Sequence, residues 1–315
     1  MVYLLFIIGF ILLIKGASLL VAGASAIGRK FNISEMVIGL TIVSFGTSLP
    51  ELLVTSIATI NGQPELGLGN ILGSNIANVL LILGVAALVR PLPIPRDTYF
   101  VEVPFSLLAV LLLGFLANSN LFETGDNLIS RYDGSVLIYF FSLFMVYVFV
   151  VSRSKAPVVA TVSVTFNMFQ SVIRIVAGIG GLYFGGNWVV KEATHIANDF
   201  GISDSVIGLT IVAIGTSLPE LVTSGMAAYK NNTAMAVGNA IGSNIFNILW
   251  IVGFTSILAP LRFNPTSNQD IMMVIISSSA LILAVIVGKQ ARISRWEGAL
   301  FLIIYFFYTV SLVMR

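Results

Sequence analysis

Long apolar stretches, separated by short polar segments, run along the whole chain. A helix needs about 20 mostly apolar residues to cross the hydrocarbon core of a membrane. Ten stretches of about this length are residues 2–27, 35–60, 66–89, 100–117, 134–152, 170–194, 204–229, 235–259, 270–288 and 295–313. The segments between them carry charged and turn-forming residues, such as Lys230, Asn231 and Asn232. The pattern predicts an all-α polytopic membrane protein with ten spans.

The composition excludes the main soluble classes. Hydrophobic residues make up 57% of the 315 residues, charged residues only 10%, and the mean hydropathy is +1.00, whereas an average soluble domain is about 25% charged. Disorder requires low hydrophobicity and high net charge, and nucleic-acid binding requires a cationic face, which a net charge of +2 with scattered basic residues does not provide. The chain has no cysteine and one histidine, His195, so a metal site built on cysteines or on several histidines is excluded.

The loop charges predict an orientation. Membrane proteins concentrate Lys and Arg in cytoplasmic loops. If the N-terminus lies outside the cytoplasm, the outer side carries only Arg131, Arg262 and Arg315. The inner loops then hold Arg29, Lys30, Arg90, Arg96, Arg153, Lys155, Lys230, Lys289, Arg292 and Arg295. We therefore expect a protein of the cell membrane with both termini outside the cytoplasm.

The two halves of the chain repeat each other. Residues 34–51 align with residues 203–220 without a gap at an offset of 169, with 14 of 18 positions identical. The same offset aligns GNILGSNIAN at 69–78 with GNAIGSNIFN at 238–247. Because a five-span unit has an odd number of spans, its second copy enters the membrane from the opposite side, as in many secondary transporters. We predict a first repeat at 1–152, a cytoplasmic linker at 153–169 and a second, inverted repeat at 170–315.

Two acidic residues lie near the middle of predicted spans. Glu51 and Glu220 occupy equivalent positions of the repeat, about 15 residues from the span ends. A charge at the bilayer centre costs on the order of 3 kcal/mol on insertion scales, and such residues usually mark ion pathways. We interpret the pair as an ion site. The alternative is that each is protonated, or bonded to a nearby hydroxyl, and serves helix packing.

A proline precedes each of these acids within the motif GTSLPE. Pro50 has no N–H, and its ring clashes with the carbonyl of Gly46 four residues back, so the helix should break there and free carbonyl oxygens. Pro219 repeats the arrangement from the other side. Two carboxylates, freed carbonyls and several hydroxyls would form an all-oxygen site of the kind that Ca²⁺ prefers, with 6–8 oxygen ligands at about 2.4 Å.

The neighbouring spans add further polar groups. Ser74 and Asn78 are four residues apart and share one helix face, and Ser243 and Asn247 repeat the spacing. We expect Asn78 and Asn247 to contact the ion. The adjacent Asn75 and Asn244 lie on another face and are interpreted as residues for interhelical packing and hydrogen bonding.

These motifs resemble those of the cation/calcium antiporter superfamily, and prokaryotic sodium/calcium exchangers are the nearest group. The resemblance covers the chain from Gly16 to the last span and is carried by paired GTSLPE and GSNIxN motifs. It implies ten helices as two inverted five-helix repeats, with broken helices 2, 3, 7 and 8 around a midplane ion site. It also implies that helices 1 and 6 slide across this core.

The resemblance further implies a role for each site residue. Glu51 and Glu220 would be shared by Ca²⁺ and Na⁺, while Asn78 and Asn247 would line the site. The remaining ligands would be the carbonyls of Thr47, Thr216 and Ala213, with Ser44 at the position equivalent to Ala213, and the hydroxyls of Ser48, Ser217, Ser74 and Ser243. Some relatives carry Asp at the position of Asn247, and in potassium-dependent exchangers that Asp is tied to K⁺. Both positions are Asn here, which argues against K⁺ dependence.

We therefore predict an antiporter that exchanges Ca²⁺ for Na⁺ by alternating access, with both ions as substrates, the bilayer as surroundings, and no resident cofactor or obligatory protein partner. The alternative is an H⁺/Ca²⁺ antiporter, because buried carboxylates can carry protons, and other divalent cations stay open as substrates. A channel is disfavoured by the inverted repeat. An enzyme is not expected, because the chain has neither a nucleophile–base pair nor an HExxH motif.

Overall fold

The computed structural model describes residues 2–96, 98–118, 127–154, 167–200, 213–287 and 291–314 and is mostly helical. The helices of the first half are α1 (Val2–Phe31), α2a (Glu35–Thr47), α2b (Leu49–Ile60), α3 (Pro64–Val89), α4 (Thr98–Ala117) and α5 (Arg131–Ser154). The helices of the second half are α6 (Met168–Asp199), α7 (Leu218–Tyr229), α8 (Thr233–Leu258), α9 (Asn268–Val287) and α10 (Arg295–Val313). A short turn, Ala213–Gly215, precedes α7.

Apolar length makes this a membrane protein. Among the described residues, seven helices are long and apolar enough to cross a bilayer, and the bent pair α2a–α2b makes eight. Each predicted stretch contains a helix, although residues 204–212 of the seventh stretch lie outside the described residues. Most of the predicted linker, residues 155–166, lies outside them as well.

The helices α3 and α8 form the centre of the protein. In each, 78% of the most apolar window is buried, compared with 22% for α5 and for α6. The large apolar side chains of the outer helices stay exposed, as a lipid-facing surface requires. Examples are Phe149 on α5 and Val176 on α6. The polar motifs of the sequence therefore lie in the protein interior and not against lipid.

One feature of the predicted core is not confirmed. Helices 3 and 8 were expected to be broken, but α3 and α8 each run through without interruption. Neither contains a proline after its first residue, so no backbone N–H is missing. Each instead accommodates its polar motif with a π-helical turn, at Asn78–Ile82 in α3 and at Phe246–Val252 in α8. Such turns are rare and concentrate at functional sites.

The helices α1 and α6 pack closely through glycines. A Cβ added to Gly16 would lie 2.8 Å from the carbonyl oxygen of Gly178, and one added to Gly185 would lie 2.8 Å from that of Gly9. No side chain fits at these distances, so glycine is required for the close approach. Gly9 of α1 lies beside Gly185 of α6, and Gly16 lies beside Gly178. Residue numbers thus rise along α1 while they fall along α6, so the two helices are antiparallel.

Two short strand pairs also join the halves. Strand β1 (Leu92–Pro93), which follows α3, pairs with β4 (Arg292–Ile293), which precedes α10. Strand β3 (Leu261–Arg262), which follows α8, pairs with β2 (Leu128–Ile129), which precedes α5. Leu92 and Leu261 are equivalent positions of the repeat, so β1 and β3 are equivalent strands. Each of them pairs with a strand of the other half.

Candidate functional site

Glu51 and Glu220 each lie in the first turn of a helix that begins inside the protein. Ser48 and Ser217 occupy the N-cap positions of α2b and α7, and neither side chain bonds to the backbone of its own helix. Both glutamate side chains are about 1% exposed. A carboxylate in the first turn of a helix interacts favourably with the helix dipole, whose positive end lies there. The two helix starts therefore help to hold two negative charges away from water.

The helix break before each glutamate exposes backbone oxygens. Helix α2a ends at Thr47, and α2b leaves at an angle of 44°. Because Pro50 has no N–H and the backbone of Glu51 does not bond back to Thr47, the carbonyls of Gly46 and Thr47 lack their usual helical donors. In the second half the turn ends at Gly215 and α7 resumes at Leu218, which leaves the carbonyl of Thr216 in the same situation.

The two carboxylates lie close together at the contact between the halves. The hydroxyl of Ser48 donates to Glu220 Oε1 at 2.9 Å. On the other side, Ser217 bonds to Ser74 at 3.1 Å, and Ser74 donates to Glu51 Oε1 at 3.4 Å. Each acid is thus supported, directly or through one serine, by a residue of the opposite half.

Further hydroxyls surround the pair. Thr47 and Thr216 lie at the two helix breaks, and Ser243 is fully buried on α8. The Ser243 hydroxyl has no hydrogen-bond partner among the described residues. The second oxygen of each glutamate is likewise buried and unbonded within the described part of the chain. These oxygens are available to a cation.

The asparagines form a second group beside the hydroxyls. Asn78 Nδ2 donates to Asn244 Oδ1 at 2.9 Å, which joins α3 to α8. The equivalent pair, Asn247 and Asn75, is fully buried, and none of its amide atoms has a hydrogen-bond partner among the described residues. The interhelical bonding expected of Asn244 is therefore present, and it involves Asn78 directly.

Ser44 and Ala213 complete the set of predicted ligands. The carbonyl of Ser44 already accepts the Ser48 amide at 3.0 Å and the Thr47 hydroxyl at 3.3 Å. Protein donors thus occupy the oxygen that was expected to face an ion. Ala213 begins the turn before the second break, and its backbone position is the only part of it that the structure describes.

Sequence reasoning missed two asparagines of the GN dipeptides. Asn70 and Asn239 bond to the hydroxyls of Thr216 and Thr47, respectively. The sequence signal was present, because both lie at equivalent positions of the second repeated motif. Their partners are 146 and 192 residues away along the chain, so only the folded structure identifies them.

The chemistry of the site suits a hard cation. Among the described residues there is no cluster of three or more acidic or histidine side chains. A cation at the Glu51–Glu220 pair must therefore take its remaining ligands from hydroxyl, amide and carbonyl oxygens. This donor set, with two negative charges, is typical of Ca²⁺ and unlike a site for a soft transition metal.

A buried carboxylate pair at two helix breaks, inside an apolar helical protein, is the architecture of a membrane protein whose interior chemistry suits a hard cation. Comparison with known proteins gives the family. Residues 1–150 and 170–314 match the family described as sodium/calcium exchanger protein. The chain belongs to this family, and the resemblance inferred from the motifs is confirmed.

Relatives match along nearly the whole chain. It is 37% identical over 311 residues to the putative antiporter CaxA of Alkalimonas amylolytica, covering 96% of this chain and 95% of that protein. It is 32% identical to the sodium/calcium exchanger MaX1 of Methanosarcina acetivorans, covering 98% of both. The solved structure of the sodium–calcium exchanger NCX_Mj, soaked with Na⁺ and Ca²⁺, superposes with a TM-score of 0.81 at 34% identity, covering 99% of this chain and 98% of that one.

Proposed function

We propose that the protein is a secondary antiporter that exchanges Ca²⁺ for Na⁺ across the cell membrane by alternating access. The observation that carries the proposal is the buried Glu51–Glu220 pair, in which Ser48 of one half bonds to the acid of the other. The relatives named as sodium/calcium exchangers support the same pair of ions. The family membership supports transport and gives no support to an enzyme.

Competition for the two carboxylates accounts for exchange. One Ca²⁺ or several Na⁺ would need the same two acids, so the ions would exclude each other. With no cation bound, two buried negative charges would face each other at low dielectric, which is strongly unfavourable. The empty protein would therefore change between its inward-facing and outward-facing states slowly, and movement of one ion would require return of the other.

The surrounding hydroxyls favour Na⁺ over a proton as the coupling ion. A proton needs only the carboxylate, whereas Na⁺ needs several neutral oxygens. Ser48, Ser74 and Ser217 place such oxygens beside the acids, and Ser243 is the repeat counterpart of Ser74. We assign these hydroxyls to Na⁺ sites, the carbonyls of Thr47, Thr216 and Ala213 to Ca²⁺, and Asn78 and Asn247 to the wall of the site.

We further propose ten spans arranged as two inverted five-helix repeats. The offset of 169 converts the Gly9–Gly185 contact into the Gly178–Gly16 contact, as a two-fold axis between oppositely oriented halves requires. The strand pairs β1–β4 and β2–β3 fit the same symmetry. The distribution of Lys and Arg supports both termini outside the cytoplasm.

A flux assay tests the function. The purified protein is reconstituted into liposomes, and ⁴⁵Ca²⁺ uptake is measured with outward gradients of Na⁺, K⁺ or H⁺ in turn. We expect uptake with the Na⁺ gradient and its loss in Glu51→Gln and Glu220→Gln, because each change removes a charge that both ions need. Glu65→Gln is the matched control, since Glu65 lies exposed in the first turn of α3.

Each alternative predicts a different result. Uptake driven by a pH gradient without Na⁺ would support the H⁺/Ca²⁺ antiporter. Full transport by both glutamine variants would overturn the site assignment. Single-channel currents in a planar bilayer would show that the protein conducts ions through a continuous pore, which would contradict alternating access.

A further inference from the structure

Asn239 joins the break in the first half to a helix of the second half. Its Oδ1 accepts the hydroxyl of Thr47 at 3.2 Å, and its Nδ2 donates to the hydroxyl of Ser224 on α7 at 2.9 Å. All three side chains are fully buried. The amide has hydrogen bonds on both its oxygen and its nitrogen, so its orientation is fixed on both sides.

Asn70 makes the equivalent contacts on the other side of the site. Its Oδ1 accepts the hydroxyl of Thr216 at 3.0 Å, and its Nδ2 donates to Thr55 on α2b at 3.3 Å. Every residue of this trio is related to its counterpart by the offset of 169. Two copies of one bridge therefore exist, and each ties the helix break of one half to an asparagine of the other.

The bridges hold the segments from which the free carbonyls project. Thr47 is the last residue of α2a, and Thr216 lies between the turn and α7. Neither carbonyl accepts the hydrogen bond from the backbone N–H four residues later that an uninterrupted helix would provide. The usual helical constraint on the direction of the carbonyl is therefore missing as well. A side-chain bond to a rigid, continuous helix supplies a replacement constraint, because α3 and α8 run through without a break.

We propose that Asn70 and Asn239 are positioning residues, which orient the carbonyls of Thr216 and Thr47 toward the cation without contacting it. The proposal rests on the proposed function. The side-chain oxygen of each asparagine is taken by a threonine hydroxyl, which distinguishes them from Asn247, whose amide has no partner among the described residues. The hydroxyls of Thr47 and Thr216 bond to the asparagines, and on this proposal their backbone carbonyls coordinate the ion.

A double-mutant cycle on Ca²⁺ binding tests the proposal. Isothermal titration of the full-length protein in detergent with CaCl₂ gives the dissociation constant for wild type, Asn239→Ala, Thr47→Val and the double variant. We expect each single change to weaken Ca²⁺ binding about tenfold, as loss of a buried hydrogen bond does. Both changes remove the Thr47–Asn239 bond, and each also removes one further bond, that of Thr47 to the Ser44 carbonyl or that of Asn239 to Ser224. The double variant should therefore weaken binding by clearly less than the hundredfold product of the single changes.

Two further variants separate positioning from general stability. Thr47→Ser keeps the hydroxyl and should restore binding to within about twofold of wild type. Asn118→Ala removes an asparagine that is bonded equally well to Asn268, between α4 and α9. It should lower the melting temperature and leave the Ca²⁺ dissociation constant unchanged.

The outcomes distinguish this proposal from the proposed function. A wild-type protein that binds no Ca²⁺ would overturn both. A wild type that binds Ca²⁺, together with unchanged binding by Asn239→Ala or independent, multiplicative effects in the cycle, would overturn the positioning role alone. Repeating the cycle with Asn70→Ala and Thr216→Val should give the same pattern, since the second bridge has the same geometry.

Discussion

At the scale of single residues, the two acids have equivalent positions but unequal partners. Glu220 receives the hydroxyl of Ser48 directly, whereas Glu51 is reached from Ser217 only through Ser74. The amides differ in the same way, because Asn78 bonds to Asn244 while Asn247 and Asn75 stay unbonded among the described residues. The site is therefore asymmetric in its hydrogen bonds even though the sequence around it is repeated.

The unbonded amide of Asn247 leads to a prediction about charge. Asn247→Asp would add a third negative charge beside the pair. Since the attraction of a divalent cation grows with the charge around it, the Ca²⁺ concentration for half-maximal uptake should fall severalfold. The isosteric change to a carboxylate alters volume little, so packing should be preserved. The measurement is ⁴⁵Ca²⁺ uptake in proteoliposomes at a series of Ca²⁺ concentrations.

Asn247→Leu serves as the uncharged control and should reduce uptake without increasing apparent affinity. If Asn247→Asp has the Ca²⁺ dependence of wild type, the side chain does not face the ion, and its place in the wall of the site is wrong.

The sequence predicts the acids of the site better than their supports. Glu51 and Glu220 stand out because a charge within an apolar stretch is costly and requires a reason. The partners of Asn70 and Asn239 could not be predicted, because hydrogen bonding of a buried amide depends on which helices become neighbours. The chain has many asparagines in apolar surroundings, and no local pattern separates those that bond to hydroxyls from those that stay unbonded.

At the scale of elements, proline decides where a helix stops. The break before Pro50 was predictable from the missing N–H, and the structure has it with a bend of 44°. The breaks expected in helices 3 and 8 are absent, because those segments have no proline to force them. The π-helical turns found there leave no signal in the apolar pattern.

Restoring the N–H at this break should damage transport more than stability. Pro50→Ala provides a donor for the carbonyl of Gly46 and removes the ring that keeps α2a and α2b apart. We expect uptake of ⁴⁵Ca²⁺ to fall at least about tenfold, while the melting temperature in detergent changes little, because Pro50 lies in the first turn of α2b, where proline is tolerated.

Pro64→Ala is the matched control. Pro64 begins α3 directly after a loop, a position where proline replaces no helical hydrogen bond. Its replacement should leave uptake unchanged. Wild-type transport by Pro50→Ala would show that the bend does not shape the ion site.

At the scale of the whole molecule, the repeat predicted how the halves meet but not the contacts that hold them. The offset of 169 and the odd number of predicted spans led to opposite orientations. The antiparallel glycine contacts of α1 with α6 and the crossed strand pairs came only with the structure. Two-residue strands are too short to leave a pattern in the sequence, and glycines in apolar stretches have many possible uses.

The opposite orientation of the halves can be tested with single cysteines, because the chain has none of its own. Asn61 follows α2b and its equivalent, Lys230, follows α7. In intact cells, a membrane-impermeant maleimide should label Asn61→Cys, whereas Lys230→Cys should react only after the membrane is opened. Labelling of both from the same side would contradict the inverted repeat.

The glycine contacts between α1 and α6 have a consequence for the origin of the chain. Gly9 contacts Gly185, and Gly16 contacts Gly178. Gly9 and Gly178 are equivalent positions of the repeat, as are Gly16 and Gly185, so exchanging the two helices converts one contact into the other. Reciprocity of this kind is the property of an isologous interface, the self-complementary surface of a C2 dimer. On the proposed topology, an ancestral chain of half this length, inserted into the membrane in both directions, would have dimerised through this same surface. Fusion of two such copies would have made the pairing permanent and left each copy's acid free to acquire its own neighbours.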